Sequence, residues 1–161
     1  MNLPGGAQII YLKEFADLRG FFRELIKVSW KDFQDFEFAQ ISHSFMKKNV
    51  VKAWHYHKYQ TDWWYVVAGK LKVALIDFRS GIFGKPVSFI LDATRPAILK
   101  IPPLVIHGVK TLSSSAHLVY LTDKEYNPAD EGRIPFNDAR IKFFWGKKVI
   151  VSENDKKEFL I

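Results

Sequence analysis

At 161 residues, 48% hydrophobic and 16% aromatic, the chain is long and apolar enough to bury a sizeable core and too apolar for a disordered segment. It has no cysteine, which excludes disulfides and thiolate chemistry. Its 24 Lys and Arg against 17 Asp and Glu give a net charge of +7 that favours an anionic partner, yet these cations are spread from Lys13 to Lys157 instead of forming the stripe that tracks a nucleic-acid backbone.

Short runs rich in Val, Ile, Phe, Tyr and Trp, punctuated by Gly and Pro, predict an all-β fold with few short helices. In chain order the expected strands cover 7–13, 20–27, 37–45, 49–56, 62–68, 70–78, 86–92, 97–101, 105–111, 116–122 and 142–151. The turns between them are marked by Leu3-Pro4-Gly5-Gly6, Leu18-Arg19-Gly20, Ser80-Gly81, Phe83-Gly84-Lys85-Pro86, Pro102-Pro103 and Asn127-Pro128. Single helical turns are expected at 29–33 and around Asp130-Glu131. Trp63-Trp64-Tyr65-Val66-Val67 is apolar on both faces, so that strand needs cover on both sides, from a second sheet or a partner subunit. No repeat, low-complexity tract or linker divides the chain, and residues 1–161 are read as one domain. Residues 1–11 lack a basic leader followed by an apolar block, and no charge-free stretch would cross a bilayer. The expectation is a cytoplasmic protein with neither membrane nor nucleic-acid partners.

The chemistry concentrates around His55-Tyr56-His57. Residues two apart on a strand share a face, so both imidazoles point the same way, with Asp62 seven residues after His55 and His107 beyond the next strands. The spacing His55-x-His57, Asp62, Gly69 resembles the first motif of cupin jelly rolls, and the second appears as Ile101-Pro102-Pro103-Leu104-Val105-Ile106-His107. His55, His57, Asp62 and His107 together offer three imidazoles and a carboxylate, a donor set suited to Fe, Mn, Ni or Zn. One reading is therefore a metal-binding cupin enzyme.

The flanking words point to a second reading. Asp17-Leu18-Arg19-Gly20-Phe21-Phe22-Arg23-Glu24 resembles the D-x-R-G-x-F-x-E signature of the dTDP-4-dehydrorhamnose 3,5-epimerases. The resemblance continues in order through Gln40-Ile41-Ser42-His43-Ser44, Val50-Val51-Lys52-Ala53-Trp54-His55-Tyr56, Val73-Ala74-Leu75-Ile76-Asp77-Phe78-Arg79 with Phe83-Gly84, and Ile101-Pro102-Pro103 with His107-Gly108. Tyr120, Tyr126-Asn127-Pro128, Glu131, Ile134, Asn137-Asp138, Trp145 and Ser152-Glu153-Asn154-Asp155 complete it.

That resemblance implies a cupin-type jelly roll with an N-terminal strand extension, a homodimer, and inversion at C3, C5 or both of a nucleoside-diphosphate 4-keto-6-deoxyhexose without a cofactor. Hydrogens beside the ketone are acidic, and their removal gives an enolate that can be reprotonated from the opposite face. By resemblance His55 is the base, Asp155 orients it and Tyr120 is the acid, while Arg19, Glu24, Gln40, Lys52, His107, Tyr126 and Trp145 bind the substrate. The sequence departs from the family at Asp62, where a lysine is expected, at Lys52 for an arginine, at Ser42 for an asparagine, at His57 for a glutamine and at Leu104 for a glycine. A non-catalytic sugar-nucleotide-binding protein is the third reading.

Overall fold

Strand periodicity sorts the apolar side chains of this protein into three layers. The computed structural model describes residues 2–34 and 36–161. Among these residues the strands are β1 (Gln8–Tyr11), β2 (Glu14–Asp17), β3 (Gly20–Arg23), β4 (Gln40–Lys47), β5 (Val51–His57), β6 (Asp62–Ala68), β7 (Lys70–Asp77), β8 (Val87–Asp92), β9 (Ala97–Ile101), β10 (Val105–Thr111), β11 (Ser115–Thr122) and β12 (Glu131–Arg133). They pair antiparallel into one sheet of order β1-β9-β6-β11-β4, a facing sheet of order β12-β5-β10-β7-β8, and the separate hairpin β2-β3. This two-sheet arrangement is the cupin-type jelly roll. No described helix is long and apolar enough to cross a membrane.

The first layer lies between the sheets, where Met46, Trp64 and Val66 meet Leu71, Val73, Leu75 and Val109. The second covers the outer face of the β6 sheet: Trp63, Tyr65 and Ile98 pack under Leu25, Ile26, Trp30, Phe33 and Phe36. The third covers the outer face of the β5 sheet, where Trp54, Tyr56, Ile76 and Ile106 meet Ile134, Ile141 and Trp145. The two-sided apolar character of 63–67 is thus explained within the chain. Trp64 and Val66 face the sandwich interior, and Trp63 and Tyr65 are roofed by Leu25, Ile26, Trp30, Phe33 and Phe36, so no partner subunit is required to cover them.

Several expected elements differ. Residues 142–151 form no strand; Ile150 makes one isolated parallel bridge to Val50. The segment crosses sheet β5 as irregular chain, with Gly146 at φ 103° and the Lys110 ammonium donating to the Trp145 and Lys148 carbonyls at 2.7 and 2.8 Å. Those carbonyls bond a side chain where a strand would bond a ladder. The turn expected around Asp130-Glu131 ends at Asp130, and Glu131 begins the edge strand β12, paired with β5. Residues 20–27 stay extended only to Arg23, and 14–17 forms the other arm of that hairpin. The helical turn at 29–33 is present as a 3-10 turn, Lys31–Phe33.

Candidate active site

A cavity of about 300 Å³ opens at one end of the sandwich. One wall is built by β5, β10 and β12, with Lys52, His55, His57, His107, Glu131 and Arg133; the other by β4, β6 and β11, with Gln40, Ser44, Asp62, Trp64, Tyr120 and Thr122. Tyr126 stands at the mouth.

The register of β5 explains how Lys52, His55 and His57 share one wall. Side chains three apart on a regular strand face opposite ways. Here His55 pairs with His107 and Lys52 with Val109, so β5 carries one more residue than β10 across this interval. The bulge restores parity and turns Lys52 and His55 into the same space. Gly108 lies opposite it, where a Cβ would stand 2.5 Å from the Ala53 Cβ and 2.9 Å from the Trp145 ring. The absent side chain lets the strands and the covering tryptophan close on each other.

His55 Nε2 lies 2.8 Å from Asp155 Oδ1. A carboxylate only accepts, so Nε2 carries the proton and Nδ1 is left with its lone pair, 3.8 Å from Glu131 Oε1 and outside hydrogen-bond range. Asp155 is buried on a 3-10 turn, Asn154–Lys156, whose backbone is fixed by Phe136 N–H donating to the Asp155 carbonyl. The charged C-terminal segment is therefore no solvated tail at this residue. Glu131 Oε1 is held by Arg133 Nη2 at 2.5 Å, and Arg133 pairs directly across from His55 on the neighbouring strand.

His107 is buried, and loss of solvation pushes its imidazole down to about 4 against the opposing pull of Asp62; His57 and His55 push it the same way as burial. The ring is neutral at neutral pH. Its Nδ1–H donates to the Val105 carbonyl at 3.0 Å, which leaves Nε2 as the lone-pair nitrogen. Asp62, also buried, accepts from Gln60 Nε2 at 2.7 Å and from Trp64 Nε1 at 2.9 Å. His57, Asp62 and His107 bring one donor atom each to within 4.8 Å of one another. His55 stands outside this group, engaged with Asp155, so the four-residue metal set expected from spacing is reduced to three.

Gln40 Oε1 accepts from the Tyr126 backbone N–H at 2.9 Å while its amide donates to Ser42 Oγ, and Lys52 Nζ donates to Ser44 Oγ at 2.7 Å. Of the expected binding residues, Gln40, Lys52, His107 and Tyr126 line the cavity. Trp145 does not: it packs edge-on to Phe143 and against Trp54 on the far side of β5, 4% exposed. Arg19 and Glu24 do not reach their own cavity either. Arg19 forks onto Asp17 at the hairpin tip, 90% exposed, and Glu24 pairs with Lys27. Arg133, Glu131, Gln60 and Ser44 are cavity residues that sequence reasoning missed as site residues. The alternation of Glu131 and Arg133 about Gly132 was the available signal, concealed by reading that region as a turn.

Comparison with known proteins assigns the fold and the family. The family model described as dTDP-4-dehydrorhamnose 3,5-epimerase matches residues 2–161. The spore coat polysaccharide biosynthesis protein SpsL of Bacillus subtilis is 35% identical over 145 residues, covering 87% of this chain and 95% of that protein. The dTDP-4-dehydrorhamnose 3,5-epimerase of Salmonella typhimurium is 33% identical over 147 residues, covering 85% and 79%. Among solved structures, a Legionella pneumophila dTDP-6-deoxy-D-glucose-3,5-epimerase in complex with dTDP-4-keto-L-rhamnose superposes with a TM-score of 0.83 at 29% identity, over 92% of this chain and 84% of the other. A dTDP-4-dehydrorhamnose 3,5-epimerase from Sulfolobus tokodaii does so at 0.81 and 32% identity, over 96% and 90%. By the motifs, the fold and these matches together, the chain belongs to the dTDP-4-dehydrorhamnose 3,5-epimerase family.

Proposed function

We propose that this protein is a nucleotide-sugar epimerase that inverts C3, C5 or both of a dTDP-4-keto-6-deoxyhexose. The observation that carries this reading is the His55–Asp155 pair on one wall of the cavity with Tyr120 on the other. Epimerisation requires a base on one face of the sugar ring and an acid on the opposite face, which two facing sheets supply naturally. His55 Nδ1 takes the proton beside the ketone, and Asp155 holds the ring in that tautomer and stabilises the imidazolium that forms. The Tyr120 hydroxyl returns a proton from the other side. Lys52 and Arg133 bring positive charge to the wall, and Lys52, nearer the mouth with Gln40 and Tyr126, is suited to a diphosphate.

Family membership, relatives of similar length and a structural neighbour crystallised with a dTDP-keto-sugar support the substrate class. The enzyme acts as a homodimer in this reading, because the β2-β3 hairpin presents exposed Phe15, Leu18, Phe21 and Phe22, an apolar surface with Arg19 beside it that a second copy would cover. One folded unit acting in the cytoplasm completes the reading. Incubation with dTDP-4-keto-6-deoxyglucose, followed by NMR of the sugar, is expected to give a product inverted at C3, C5 or both, with a loss of roughly 100-fold or more in rate for Tyr120→Phe. An unchanged sugar after prolonged incubation with folded wild-type protein would refute the proposal.

A further inference from the structure

Deprotonation beside a ketone places negative charge on its oxygen, and an enolate forms at useful rates where the site supplies compensating positive charge or hydrogen-bond donors. Yet one corner of this cavity holds a buried carboxylate, Asp62, between two histidines. The Asp62 oxygens accept only from neutral donors, Gln60 and Trp64, and no described ion pair involves it. The His107 ring beside it turns its Nδ1–H to the Val105 carbonyl and not to Asp62, and His57 Nδ1 and Nε2 have no hydrogen-bond partner among the described residues. An anionic side chain removed from water without a cationic partner is costly, and it opposes the charge the reaction develops.

We infer that His57, Asp62 and His107 form a binding site for one divalent transition-metal ion at the inner end of the cavity. The inference deepens the epimerase reading and rests on it for its catalytic consequence, though not for the binding itself. Each residue contributes one donor atom, and the three atoms lie within 4.8 Å of one another. Closure by about an ångström brings them to the separations that metal–ligand bonds near 2.0–2.2 Å require. His107 is already set in the ligating tautomer, because its Nδ1–H is committed to the Val105 carbonyl and Nε2 is free. Asp62 is oriented by its two donors in the manner of outer-shell support for a metal carboxylate. Two imidazoles and one carboxylate leave coordination positions open, and all three residues line the cavity, so the open side faces the space a substrate would occupy. The site would polarise the ketone oxygen and stabilise the enolate, while His55, held apart by Asp155, keeps its proton-transfer role. This departs from the expectation that no cofactor is used.

The test measures binding directly. Full-length protein stripped with chelator and titrated with Zn2+ or Co2+ in a calorimeter is expected to take up one equivalent, with Co2+ developing visible ligand-field absorption. His57→Ala and Asp62→Asn should each weaken binding by more than about 100-fold, and Gln60→Leu by roughly 10–100-fold, each variant being checked for folding by its melting temperature without metal. The exposed His43–His117 pair on the outer sheet face, with nitrogens 2.9 Å apart, is the internal control, and His117→Ala should bind as wild type. Absence of binding below millimolar metal, or binding lost in His117→Ala and kept in Asp62→Asn, would overturn the inference. Stoichiometric binding that depends on His57 and Asp62, in a protein that leaves the sugar unchanged with and without metal, would uphold the site and reject the epimerase reading.

Discussion

Neutral His107 is a stability liability in acid. Its imidazole is pushed down to about 4 when folded, against 6.5 in the unfolded chain, by burial first and then by His57 and His55, with Asp62 opposing. Well above pH 6.5 neither state is protonated and nothing is lost. As pH falls from 6.5 towards 4, the unfolded chain takes up a proton that the fold refuses, so stability declines by about 3 kcal/mol over that window. Metal-free wild-type protein should therefore show a steep loss of unfolding free energy between pH 7 and 4. His107→Asn, less stable at pH 8 for its lost packing, should show a distinctly shallower slope. Equal slopes in urea melts would place the acid sensitivity elsewhere.

At the scale of the element, the site depends on a one-residue bulge in β5 and on the glycine opposite it. A methyl group at Gly108 would meet the Ala53 Cβ at 2.5 Å and the Trp145 ring at 2.9 Å. Gly108→Ala should cost about 1–3 kcal/mol in chemical denaturation, as overpacked cores do, and should lower kcat, because the bulge directs Lys52 and His55 into one cavity. A variant of wild-type stability and rate would mean that the bulge tolerates this crowding. The same region shows what could be read from the chain beforehand. Central strands such as β6, β9 and β10 were legible because their apolar runs end at clear Gly or Pro turns. His55 and Asp155 were identified together only through the order of the family words, since 100 residues separate them and the C-terminal charges alone suggest solvent. Trp145 entered as a binding residue through a family word alone, whereas here Lys110 holds its carbonyl and the indole roofs the outer face of a sheet, away from the cavity. Arg133 escaped notice because its short edge strand owes its existence to pairing with β5 rather than to local β-propensity.

At the scale of the whole molecule, the chain roofs both of its sheets itself, so the remaining exposed apolar surface, rather than an uncovered core, carries the case for self-association. The β2-β3 hairpin exposes Phe15, Leu18, Phe21 and Phe22, while Arg23, paired with Glu14 across the hairpin, anchors it to the Tyr65 hydroxyl. If a second copy covers this hairpin, Phe21→Asp combined with Phe22→Asp should shift sedimentation from dimer to monomer and leave the melting transition cooperative. A dimer that persists in the double variant would assign the interface to another face.

The enzymatic account converges on proton transfer at His55. In deuterium oxide, wild-type protein incubated with a dTDP-4-keto-6-deoxyhexose should wash solvent deuterium into C3, C5 or both, detectable by mass spectrometry, with His55→Ala slowing this by roughly 100- to 10,000-fold. Exchange at the wild-type rate in His55→Ala, or none at all in the wild-type enzyme, would contradict it.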